Sequence, residues 1–230
     1  MKEFDQLVKV IRKLRSPGGC PWDRAQTIET MKKCLLEETY ELIDALSDKK
    51  YKIAEEELGD VILIVIVIAE MLDEKNKSDL KQSLNRAKNK LIVRHPHVFS
   101  KKKLNTKEEV LKVWIKNKAK KKKRSSVKDR LPKTAPALLL AYLFFKECRN
   151  LGKKNTGIDS SDVVISMISD EMDKFKKETK KSKKEQIISE ILFKAAQLAS
   201  FSGLDPEELL RQNVFQKAKK VSYGKARKKG

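Results

Sequence analysis

Leu36–Leu42 reads LEETYEL and Glu56–Ile62 reads EELGDVI, each inside an apolar pattern of helical period. Glu37, Glu38 and Glu41 in the first stretch, and Glu57 and Asp60 in the second, lie three and four apart, so each set shares one helix face. The link at Ser47–Lys50 is short enough for an antiparallel hairpin that turns the two faces towards each other. Carboxylates gathered in this way repel one another unless a cation lies among them, and oxygen-only donors suit a hard divalent ion such as Mg²⁺. A solvated acidic face produces the same spacing. Two features favour the cation. Residues 28–74 hold 13 acidic side chains against five Lys and no Arg, in a chain of formal net charge +21. The run VILIVIVIA at 61–69 follows Asp60 directly and is apolar on every face, which predicts a buried core segment. A carboxylate at the mouth of such a segment is unfavourable unless paired or ligated.

The composition points to an all-α protein: 230 residues with only 6 Pro and 8 Gly, and apolar residues that recur at helical spacing. Of the 53 basic residues only 10 are Arg. A Lys-dominated excess favours a solvated surface, with nonspecific contact to nucleic acid, over a base-reading one. Cys20, Cys34 and Cys148 fall in no metal or redox spacing and read as free thiols of a reducing cytoplasm. No apolar signal region opens the chain and no apolar run is long enough to span a bilayer, so no membrane association is expected.

Helices are predicted at Phe4–Arg15, Thr27–Leu46, Tyr51–Glu74, Ser78–Val93 and Thr106–Lys118, with CPWD at 20–23 as an ordered loop. The Lys-rich stretch after Lys118 reads as a linker near Arg124–Lys133, dividing the chain into modules at 1–125 and 126–230. The second half repeats the plan of the first, with helices predicted at Pro136–Leu151, Asp162–Thr179, Lys184–Phe201 and Asp205–Lys220. Superposing ISDEMDKF on LLEETYEL sets Asp170, Glu171 and Lys174 at the places of Glu37, Glu38 and Glu41. Superposing IISEIL on ELGDVI sets Ile187 and Glu190 at the places of Glu57 and Asp60. One carboxylate has become a cation and another an apolar group, so the second module is not expected to hold the same metal.

The first half resembles the MazG family of nucleoside triphosphate pyrophosphohydrolases. The likeness rests on EExxE followed after 15 residues by ExxD, and on CPWD, RHPHVF at 94–99 and the Trp114 to Lys118 spacing, in that order along the chain. It implies tandem helical-bundle modules that form homodimers, the second of them degenerate. It also implies Mg²⁺-dependent hydrolysis of a nucleoside triphosphate to the monophosphate and pyrophosphate, as housecleaning of the nucleotide pool, with Mn²⁺ as a possible substitute. By position, Glu38, Glu41, Glu57 and Asp60 are the implied metal ligands. Glu37, with Glu38, is the implied catalytic pair, Glu37 orienting the site or assisting the attacking water.

Arg94 and Lys118 stand at family-like positions from which a cation could meet the phosphates, and Trp22 and Trp114 could stack on a base, although core packing is the commoner use of Trp. His95 and His97, beside Pro96, read as anchors of a turn. A di-iron carboxylate bundle would require ExxH on two helices, and neither acidic helix contains a His. The alternatives are a catalytically decayed MazG-like module and a basic nucleic-acid-binding helical protein, the latter resting on the Lys runs at 101–103, 120–123 and 225–229.

Overall fold

The computed structural model describes residues 2–100, 103–121, 126–150 and 160–221, with the side chains of 116, 118–121 and 150 left out. Among them every element is helical, and the chain divides into two compact units, 1–110 and 111–230. The units meet inside one helix, upstream of the 124–133 stretch where the composition shifts.

In the first unit α1 (Lys2–Arg15) and the short α2 (Pro21–Ala25) precede the long hairpin α3 (Ile28–Ser47) and α4 (Tyr51–Glu74), followed by α5 (Leu80–Arg94) and α6 (Pro96–Phe99). Thr27 starts α3: its hydroxyl accepts from the Thr30 amide while the Thr30 hydroxyl accepts from the Thr27 amide, satisfying donors that a helix start leaves open. Lys49, in the left-handed region at φ 58°, reverses the chain, and the Lys50 amide returns to the Ala45 carbonyl at 2.9 Å. The hairpin is antiparallel: Met31, early in α3, packs on Met71, late in α4, with Ile64 between. On its other side α4 meets α1, where Val8 and Ile11 close over Ile66. Leu63 and Val67 join both clusters, so α4 is the spine of the unit. Burying one such side chain contributes about 1.5–3 kcal/mol.

Two guanidiniums fasten α1 to α4. Arg12 Nε donates to Glu70 at 2.7 Å, with Glu70 buried, and Arg15 grips both oxygens of Glu74 at 2.7 and 2.8 Å. Arg15 also donates to the Asp23 carbonyl at 2.6 Å, which ties down α2. The turn between α1 and α2 needs its glycines. Gly18 sits at φ +84°, and a Cβ on Gly19 would run into the carbonyls of Lys13 and Leu14.

Two expectations are corrected. CPWD is a short helix begun by Pro21 rather than a loop, and its Trp22 is 68% exposed instead of packed in the core. The run 61–69 is not buried all round: Ile62 is 39% and Val65 46% exposed. With α1 on one side and α3 on another, α4 has a third face that nothing in its own unit covers.

α7 (Lys107–Lys121) carries the chain across the division. The second unit continues with a 3₁₀ turn at Lys128–Arg130, α8 (Ala137–Asn150), α9 (Ser161–Lys177), α10 (Lys181–Phe201) and α11 (Pro206–Ala218). Four of its buried positions match those of the first. Phe145 and Cys148 are buried on α8 as Val8 and Ile11 are on α1, Val164 on α9 as Met31 is on α3, and Ala196 on α10 as Ile66 is on α4. Arg149, at the place of Arg12, donates to the buried Ser200, at the place of Glu70, at 2.6 Å. Phe144, Phe145 and Phe193 stack edge to face or tilted, with centroids 4.8–5.7 Å apart. Among the described residues no single helix is long and apolar enough to cross a membrane.

Candidate metal centre

The α3–α4 hairpin brings Glu38, Glu41 and Glu57 together. Each offers a carboxylate oxygen, and these oxygens all lie within 4.8 Å of one another. Glu38 and Glu41 are one turn apart on α3, and Glu57 faces them from α4 because the antiparallel register sets the middle of one helix against the start of the other. Asp60, one turn beyond Glu57 and half-buried, falls outside this tight group, yet its charge acts on both Glu38 and Glu57. Glu37 is exposed beside the cluster, and its charge acts on Glu38.

Partial burial, followed by the charges of Asp60, Glu41, Glu57 and Glu37, pushes Glu38 above the ordinary glutamate range. Burial, followed by Glu41, Asp60 and Glu56, does the same to Glu57. Among the described residues no ammonium or guanidinium pairs with Glu38, Glu41, Glu57 or Asp60. Elsewhere in the same unit the buried Glu70 and the clamped Glu74 each have an Arg. An all-oxygen donor set with no protein cation paired to it fits a hard divalent cation and not a thiolate- or imidazole-seeking metal.

The other candidates lie on other helices. Arg94 is half-buried at the end of α5, and Trp22 stands exposed on α2. Trp114 is half-buried on α7, past the end of the first unit at Val110, and the Lys118 side chain lies outside the described residues. Residues 101, 102, 122, 123 and 225–229 of the Lys runs fall outside them as well, as do the side chains of 120 and 121. His95 closes α5, its Nδ1 2.7 Å from the Leu91 carbonyl oxygen, while the buried Nδ1 of His97 has no partner among the described residues.

Sequence reasoning overlooked two groups. The Arg12 and Arg15 clamps need the tertiary pairing of α1 with α4, which no local pattern shows. Lys194 was signalled by a lone cation inside ILFKAAQLA at 191–199, four residues after Glu190.

Residues 26–99 match the MazG nucleotide pyrophosphohydrolase domain. The chain is 35% identical over 213 residues to the nucleoside triphosphate pyrophosphohydrolase/pyrophosphatase MazG of Thermotoga maritima, covering 91% of this chain and 80% of that protein. It is 32% identical over 221 residues to the nucleoside triphosphate pyrophosphohydrolase of Escherichia coli K12, covering 92% of this chain and 83% of that protein. A crystal structure of a MazG-related protein from Thermotoga maritima matches at 30% identity and TM-score 0.44, over 50% of this chain and 98% of that one. With its acidic hairpin inside the matched domain and the similarity running through both halves, the chain belongs to the MazG family.

Proposed function

We propose that the first unit hydrolyses nucleoside triphosphates between the α- and β-phosphates, releasing the monophosphate and pyrophosphate, and so clears nucleotides from the pool. The observation that carries this reading is the convergence of Glu38, Glu41 and Glu57 with no protein counter-charge, inside the domain match. Glu38, Glu41, Glu57 and Asp60 hold Mg²⁺, with Mn²⁺ as a substitute. A divalent ion held by these carboxylates would supply neutralisation of the phosphates and of the charge that develops on the departing pyrophosphate.

The protein's own groups do the rest. Glu37, exposed one residue off the ligand face, orients the attacking water and accepts its proton as water adds across the anhydride. Arg94 meets phosphate oxygens, and Trp22 offers a ring face to the base. Leu58, Ile62 and Val65, which α4 leaves exposed, form the surface on which a second copy of the chain packs as a homodimer.

The test is product analysis with a nucleoside triphosphate and Mg²⁺. Monophosphate and pyrophosphate should appear in equal amounts, with Mn²⁺ able to replace Mg²⁺ and Ca²⁺ giving little turnover because it prefers looser, higher coordination. Diphosphate and inorganic phosphate would place the attack at the terminal anhydride and end this reading.

A further inference from the structure

In the second unit, the two carboxylates that remain at the places of the first unit's metal-ligand candidates are both held by lysines. Lys194 is buried in α10, its side chain 10% exposed, with its ammonium 2.9 Å from Glu190 and 3.9 Å from Glu171. Lys174 adds a second ammonium 3.0 Å from Glu171. Glu171 and Glu190 stand at the places of Glu38 and Asp60, and Lys194 at the place of Ile64, a core side chain of the first unit. A cation has therefore entered a position where the repeat calls for an apolar group. A buried ammonium is unfavourable unless paired, so its pairing with these two carboxylates accounts for its presence there.

We propose that the Lys194 ammonium is a covalently attached counter-ion, standing where the first unit takes a divalent cation, so that the second unit's carboxylates are neutralised without any exchangeable metal. The proposal borrows from the reading of the first unit only the notion of a counterpart; the contacts of Lys194 are independent of it. The loss of Glu41 and Glu57 equivalents to Lys174 and Ile187 then becomes intelligible. With the charge balance met from within, further acidic ligands would again be in excess. Beside the pair lies an open groove of about 490 Å³ lined by Glu171, Lys174, Ile187 and Glu190 among others.

The experiment uses the full chain carrying Glu57→Gln, which removes a ligand of the first centre, as the parent for thermal unfolding at neutral pH with EDTA or millimolar Mn²⁺. Adding Lys194→Met is expected to lower Tm by at least about 5 °C, since it leaves Glu190 without its ammonium and Glu171 with Lys174 alone. Adding Glu171→Gln and Glu190→Gln as well is expected to bring Tm back to within about 2 °C of the parent. Mn²⁺ should raise Tm of the Lys194→Met chain while leaving the parent and the triple addition unchanged. Should Lys194→Met alone fail to fold, a folded triple addition with the parent's Tm supports the proposal. A Lys194→Met chain as stable as the parent, a triple addition that stays destabilised or unfolded, or a Lys194→Met chain indifferent to Mn²⁺ would each overturn it. If instead the first centre binds no metal, wild type and Glu57→Gln will respond alike to Mn²⁺, an outcome separate from any of these.

Discussion

Glu38 and Glu57 are the side chains that carry the most chemistry for the least local stability. Each is pushed above the ordinary glutamate range by burial and by like-charged neighbours, so each opposes folding when ionised and free of metal. Glu38→Gln or Glu57→Gln should therefore lower pyrophosphate release by at least about 100-fold at saturating Mg²⁺, because the transition-state charge loses its stabiliser. The same variants should unfold no earlier than wild type in EDTA. Steady-state assays with paired melting curves check both, and wild-type turnover in either variant would remove that residue from the ligand set. The spacing of Glu37, Glu38, Glu41, Glu57 and Asp60 made the gathering legible in the sequence, since helical periodicity alone fixes which carboxylates share a face. It did not place Trp114 or Lys118, because residues far along the chain are positioned by packing between elements, which periodicity does not encode.

The hairpin of α3 and α4 links metal, protons and stability. A carboxyl group whose affinity for protons is raised on folding weakens the fold as pH rises through its unfolded and then its folded value, and that penalty is relieved as pH falls. Mg²⁺ favours the ionised form, so its gain in Tm should be full at pH 7 and shrink on acidification into the raised carboxylate range, where protons compete. Differential scanning fluorimetry with Mg²⁺ and EDTA from pH 7 to pH 4 reads this directly, and a gain that grows in acid would contradict it. Glu74 behaves oppositely: its hydrogen bond to Arg15 holds it below the ordinary range, so its contribution persists until pH falls through that lowered value. Arg15→Ala should cost about 1–3 kcal/mol in urea unfolding, since it frees α2 and leaves Glu74 unmatched, while turnover falls far less than in the ligand variants. The helices themselves were legible to within a few residues because caps such as Thr27 and breakers such as Pro96 are local signals. The exposure of Ile62 and Val65 was not, because hydropathy along α4 counts apolar faces and says nothing of how many neighbours are available to cover them.

At the scale of the whole molecule the proposed reading is a duplication in which one copy keeps an uncompensated acidic centre and the other is neutralised by lysine. Glu171→Gln and Glu190→Gln, in the full chain, should leave turnover within about twofold, as charge changes away from the reacting centre alter transition-state binding little. A folded Glu171→Gln chain without activity would contradict this division of labour. Val65→Lys should convert a dimer to a monomer in light scattering, and an unchanged mass would move the dimer surface elsewhere. Cys148, buried at the place where the first copy has Ile11, turns the duplication into a chemical clock. A thiol shielded by α8's packing reacts with a maleimide only when the second copy opens, whereas Cys20 and Cys34 are partly accessible in the first. With those two replaced by serine, the labelling rate of Cys148 would time the opening of the second unit while the chain is supplied with substrate. That separates the motions of two copies that spectroscopy of the whole chain would average together.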